Sequence, residues 1–136
     1  MWSQIDANMH LRHSAYADFA AQARLAMLDK VGMNARQFQE LHIGPILFRE
    51  ETIYLREAGA NDTLRVTCEL TKCRPDGSRW SVRHEIYRKD GIKSAVVNVD
   101  GAWIDTKARK LTALSDEMME KFTSLPRSED FTDAAS

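Results

Sequence analysis

Cysteine is scarce: Cys68 and Cys73 are the only two in 136 residues. Two thiols do not make a disulfide scaffold, and without a third or fourth they do not make a zinc framework. They stand five apart in a strand-like run, an odd separation that predicts opposite faces and no pairing. An excess of one charge is also lacking. The 19 basic and 20 acidic residues leave a formal net charge of −1, so no global field draws the chain to a nucleic-acid backbone or an anionic membrane. No apolar run approaches the ~20 residues that span a bilayer. The opening Met1-Trp2-Ser3-Gln4 lacks the basic-then-apolar order of a signal peptide. These absences predict a cytoplasmic protein with neither nucleic acid nor membrane as partner. No internal repeat or low-complexity linker divides the chain.

What is present suits one globular domain. At this length roughly two thirds of the unfolded surface can be buried, and 43% apolar with 29% charged residues is an ordinary mixture for such a core. The reading is a folded domain over residues 1–125 and a polar, frayed tail over 126–136. Tyr16, Phe19, Ala20, Ala23, Met27 and Val31 recur at spacings of three and four, which predicts an alanine-rich helix over Ala15 to Val31. Ser14 is the expected N-cap and Gly32 the left-handed C-cap.

Beyond Gly44-Pro45 the period becomes two. Ile46 to Leu55 reads as a long strand, broken by a bulge or bend around Arg49-Glu50-Glu51. After a turn at Asn61-Asp62, Leu64, Val66, Cys68 and Leu70 alternate with polar residues. Asp76-Gly77 and Asp90-Gly91 mark hairpins on either side of the run Trp80, Val82, His84, Ile86. Ser94 to Asp105 is a further strand, Lys107 to Lys110 a basic turn, and Ser115 caps a short helix through about Phe122. A sheet with one apolar face needs a cover, and the alanine-rich helix is the only substantial one. The expectation is an α+β architecture in which an antiparallel sheet curls around that helix.

Chemistry concentrates in Ile5-Asp6-Ala7-Asn8-Met9-His10-Leu11-Arg12-His13-Ser14-Ala15-Tyr16. A carboxylate, an amide and two imidazoles precede a helix start, whose unpaired N–H groups and partial positive charge can polarise a carbonyl oxygen. A carboxylate beside it can activate water or attack the acyl carbon. The same residue types also serve as ordinary turn and cap formers, so the pattern alone leaves both readings open. Elsewhere, His84 falls on the apolar face of a strand and reads as a packed histidine. Arg83, Arg88, Lys89 and Lys93 are candidates to touch phosphates or to form a solvated hairpin.

Asp6-Ala7-Asn8-Met9-His10, His13, Tyr16, Phe19 and Ala23-Arg24 together resemble the signature of the hotdog-fold acyl-CoA thioesterases of the 4-hydroxybenzoyl-CoA thioesterase-like superfamily. Ile43-Gly44-Pro45, Ile53-Tyr54-Leu55-Arg56, Asn61-Asp62-Thr63-Leu64 and His84-Glu85-Ile86-Tyr87 continue the resemblance, which covers about residues 2–122. It implies a hotdog fold and a thioester hydrolase. Asp6 and His13 would be the catalytic residues, His13 through its backbone N–H. Asn8, His10, Ser14 and Tyr16 would contact substrate. No metal and no separate cofactor is implied, since coenzyme A belongs to the substrate. The partners implied are a small acyl thioester and further copies of the chain, as a homodimer or homotetramer. Gln4 stands where the family often has another Asp, and Ala21 where a helix Glu is frequent. A non-catalytic acyl-CoA-binding protein on the same fold is the alternative. A hotdog hydratase or dehydratase fits less well, because no His-Phe-Pro-type segment occurs.

Overall fold

The structure is a computed structural model that describes residues 13–58 and 63–133. It opens with α1 (His13–Lys30). Tyr16, Ala20 and Leu28, separated by four and eight residues, are buried along one stripe of α1, as a 3.6-residue period requires. Phe19, Ala23, Met27 and Val31, expected on the same face, are half-buried at its margins. The helix starts at His13, so Ser14 lies within the first turn rather than at the N-cap position expected for it. The other end is as expected. Gly32 has φ 91°, its N–H donates to the Asp29 carbonyl at 3.0 Å, and the Met33 N–H reaches the Leu28 carbonyl at 2.8 Å. That pair of bonds caps the last carbonyls of the helix through a left-handed residue, a conformation glycine adopts without a Cβ penalty.

A second helix, α2 (Ala35–Leu41), follows at once. Its seven residues are too few to show a period, and its signal is a cap: the Asn34 side chain accepts from the Gln37 N–H at 3.0 Å. The strands are β1 (Ile43–Tyr54), β2 (Arg65–Val66), β3 (Glu69–Cys73), β4 (Arg79–Tyr87), β5 (Lys93–Asp105) and β6 (Lys110–Leu111). Then come α3 (Asp116–Thr123), capped by Ser115 as expected, and β7 (Arg127–Asp133). The described strands form one curved, unclosed sheet of order β1-β5-β4-β3-β7, with β2 on β4 and β6 on β5. This α+β arrangement, with α1 against the concave face, is the one expected from the periodicity.

Four details differ from the sequence reading. First, β1 begins at Ile43, and its bulge falls on Phe48, one residue earlier than expected: Leu47 pairs with Gly101 and Arg49 with Asp100. Second, the run from Leu64 to Thr71 is not one strand, because β2 and β3 are separated at Thr67-Cys68. Third, Cys68 and Cys73 do not face opposite ways. Leu70 pairs with Val82 and Cys73 with Trp80, leaving Thr71 as an extra residue that shifts the alternation by one. Both thiols are therefore buried, and both are free. Fourth, much of the supposed tail is β7, which lies parallel to β3 and carries the folded unit through Asp133. Ser128 is buried there and Phe131 packs against the core, so one aromatic in a polar run anchors the strand.

The centre of the core is aromatic. Trp80, Trp103 and Phe122 meet pairwise with ring centroids 5.5–6.1 Å apart, the edge-on and tilted geometry that aromatic quadrupoles favour. Gly101 sits beneath Trp80 in the ladder, and a Cβ there would stand 2.6 Å from the Ile46 carbonyl oxygen. No helix among the described residues is long and apolar enough to cross a membrane.

Candidate functional site

The first turn of α1 is where the sequence places the chemistry. Asp6, Asn8 and His10 lie outside the described residues, and His13 and Ser14 are fixed by their backbone as the first two residues of α1. Tyr16, two residues on, is buried, and its ring meets Tyr54 edge-on at 5.5 Å. Its oxygen is 3.1 Å from Ser94 Oγ, which in turn is 2.7 Å from the Arg56 carbonyl. A carbonyl only accepts, so the serine proton goes to Arg56 and the tyrosine O–H donates to Ser94. The Ser94 carbonyl also accepts from the N–H groups of Leu55 and Arg56 at 2.9 and 3.0 Å. Tyr16 thus pins the start of α1 to the junction of β1 and β5, and holds the helix N-terminus in place. Its oxygen keeps its acceptor capacity.

A second polar group lies farther along α1 and was not singled out as a site by sequence reasoning. Arg24 falls in the buried stripe, four residues after Ala20 and four before Leu28. Its Nη1 lies 2.9 Å from Nε2 of His84, and His84 Nδ1 lies 2.9 Å from the Thr67 carbonyl. A guanidinium only donates and a carbonyl only accepts. The imidazole must therefore be neutral, with its proton on Nδ1 and its Nε2 lone pair toward Arg24. Burial pushes the His84 pKa down to about 4; the bond to Thr67 opposes the shift and the charge of Arg24 adds to it. The reading of His84 as a packed histidine holds, with the addition that it carries a guanidinium on its free nitrogen. A charged residue interrupting an otherwise apolar helical stripe was the signal available in the sequence.

Arg24 borders a cavity of about 170 Å³ between α1, the concave face of the sheet and α3. Leu28, Cys68, Trp80, Trp103 and Phe122 contribute to its walls. Burial raises the Cys68 thiol to about 11, against the pull of Arg24, so it stays protonated and is not a nucleophile at neutral pH. The indole N–H groups of Trp80 and Trp103 are buried with no hydrogen-bond partner among the described residues. Three of the four hairpin cations, Arg83, Arg88 and Lys93, are already engaged. Arg83 makes two bonds to Asp130 at 2.9 and 3.2 Å, Arg88 pairs with Asp90, and Lys93 pairs with Glu85. That favours the solvated-hairpin reading of this stretch. No cluster of three or more His, Cys, Asp or Glu side chains that could hold a metal occurs among the described residues.

A family model described as the thioesterase-like superfamily matches residues 1–122. The chain belongs to the thioesterase-like superfamily. The matched segment includes Asp6, His13 and Tyr16 together with the whole of β1 to β6. Solved structures similar to this one share its hotdog fold at low identity. The hypothetical protein SAV2348 from Staphylococcus aureus, solved in complex with CoA, has a TM-score of 0.82 and 19% identity over 90% of this chain and 76% of its own. A DHNA-CoA thioesterase from the same organism has a TM-score of 0.82 and 16% identity over 91% and 84%. The probable thioesterase YbaW from Escherichia coli has a TM-score of 0.73 and 22% identity over 92% of each chain. Comparison with curated protein sequences gave no match. Family and fold thus agree with the resemblance carried by the segment around Asp6.

Proposed function

We propose that the chain hydrolyses an acyl thioester, releasing a carboxylic acid and a thiol carrier. The observation that carries this reading is the superfamily match, whose span includes Asp6 and α1. In the proposed reaction Asp6 takes a proton from water as the water oxygen bonds to the acyl carbon, or attacks that carbon itself to give an anhydride that water then opens. The carbonyl oxygen gains charge and is met by the free N–H groups at the start of α1, that of His13 first. The carbon–sulfur bond then breaks, and the departing thiolate is protonated to the thiol by the proton that water gives up. Asn8, His10, Ser14 and Tyr16 are assigned contacts with the substrate, and the fixed position of Tyr16 suits a residue that sets the angle of the helix end.

Coenzyme A is the carrier this reading favours, with acyl carrier protein as the other source of the same thioester. SAV2348 was solved with CoA, and a second structural neighbour is a DHNA-CoA thioesterase. No metal and no separate cofactor takes part in the proposed chemistry. The working unit is assigned as a dimer, or a pair of dimers, joined along β1, where Leu47, Phe48, Ile53 and Tyr54 are between 41% and 51% exposed. A panel of acyl-CoAs assayed with the wild type and with Asp6→Asn tests the activity. Turnover by the wild type, and a loss of about two or more orders of magnitude in a folded Asp6→Asn protein, is the expected result. Affinity without turnover across the panel would make the chain an acyl-thioester binder instead. Near-normal turnover in the variant would remove Asp6 from the mechanism.

A further inference from the structure

The cavity between α1 and the sheet is apolar in its walls, and Arg24 is the one charged residue among the described residues that line it. Arg24 has five N–H groups, of which one is bonded to His84. No carboxylate of the described residues pairs with it, though the charge of Glu50 on β1 is felt there. Its partner is a neutral imidazole, which orients the guanidinium without cancelling its charge. A half-buried cation held by a neutral group at the border of an apolar cavity is placed to receive an acceptor. Space for one exists: about 170 Å³ is close to the size of a cavity that holds a benzene molecule.

We propose that this cavity receives the distal end of the acyl group and selects for one that ends in a hydrogen-bond acceptor, a carboxylate above all, with Arg24 as the specificity-determining residue. The inference deepens the thioesterase reading and rests on it for the identity of the ligand. The placement along α1 is consistent with a distal subsite. Ala21, at the near wall, is eight residues beyond His13, about 12 Å along the helix at 1.5 Å per residue. Arg24 is three residues further, about 16 Å from the helix start, so a long acyl chain held there by its carbonyl would run along the Ala21 flank of α1, beside the packed Tyr16 and Ala20, to end at Arg24. The apolar walls fit its methylenes, and the guanidinium fits its terminal oxygens in the planar, forked geometry that arginine offers.

The Arg24–His84–Thr67 chain also ties α1 to the sheet, so the test must read selectivity and not stability alone. The probes are non-hydrolysable thioether analogues of CoA in matched pairs, dodecanedioyl-like against dodecanoyl-like and tetradecanedioyl-like against tetradecanoyl-like, long enough to reach Arg24 from the helix start. Binding to the full chain is followed by tryptophan fluorescence, because two of its three tryptophans line the cavity. A charge-assisted hydrogen bond predicts that the carboxylate-ended member of at least one pair binds about ten- to a hundredfold more tightly to the wild type. Arg24→Met should abolish that ratio, and Arg24→Lys should keep part of it. A purely structural Arg24 would lower stability in both variants and leave the two members of each pair equal. Equal affinity of the wild type for both members at both lengths overturns the proposal, whatever the variants do. Hydrolysis of the matching thioesters separates the two readings. Carboxylate preference without turnover would refute only the hydrolase, and turnover without preference only the subsite.

Discussion

His84 makes stability depend on acid in a calculable way. Folded, its imidazole is neutral, fully buried and held near a pKa of about 4; unfolded, it takes its proton near 6.5. Between those values the unfolded chain binds more protons than the folded one, so stability falls as the pH drops through that window. Above about 6.5 the whole contribution is present, and below about 4 it is gone. The gap corresponds to at most about 3 kcal/mol, a large share of the 5–15 kcal/mol typical of a domain. Protonation would also put an N–H on Nε2, where Arg24 Nη1 now donates at 2.9 Å, and so set two donors against each other. The control is His84→Gln, whose amide can donate to the Thr67 carbonyl and accept from Arg24 without titrating. Urea unfolding of both proteins at a series of pH values from 7.5 to 4 isolates the term, since the carboxylates common to both cancel in the difference. The wild type should lose about 2–3 kcal/mol more than His84→Gln over this range. Parallel curves would mean that His84 is not buried in its neutral form, and would undo the tautomer assignment on which the orientation of Arg24 rests.

Two further outcomes follow from the packing. Gly101→Ala should destabilise the fold by about 1–3 kcal/mol, as overpacked sites do, because its Cβ would meet the Ile46 carbonyl oxygen, a backbone atom that cannot swing aside; an unchanged melting temperature would show that β1 and β5 have more slack than the ladder implies. Sedimentation of the wild type at micromolar concentration should give a dimer or tetramer, and Leu47→Lys with Ile53→Lys should shift it toward monomer through charge placed on an apolar edge; an active wild-type monomer would contradict assembly along β1.

Much of this molecule was readable from its residues because its elements follow strict periods. The alternation of Trp80, Val82, His84 and Ile86 gave β4 its buried face, and the spacing-of-four stripe gave α1. What escaped the reading has local causes. A bulge at Thr71 adds one residue and inverts the phase for Cys73, an event alternation alone does not register. α2 is two turns long and held by a side-chain cap. β7 carries a single anchoring aromatic, Phe131, among polar residues, and gains its partners only once β3 is in place. The candidate site divides in the same way. The Asp6 to Tyr16 segment was legible by resemblance, whereas Arg24 acquires meaning only when β4 brings His84 to it from 60 residues away.

The two margins of the sheet differ in kind. β1 shows apolar side chains and, among the described strands, pairs on one side only, while β7 at the far margin carries Glu129, Asp130 and Asp133. Asp130 is paired with Arg83 and Arg127 lies on the same strand, so Glu129 and Asp133 leave β7 weakly acidic; two such margins do not attract, and a charged margin has little to offer an apolar one. Growth of the sheet is therefore one-ended. In the proposed dimer one copy adds along β1, and the ribbon then presents β7 at both extremities. Such a ribbon would close after a single addition and not lengthen into a fibre.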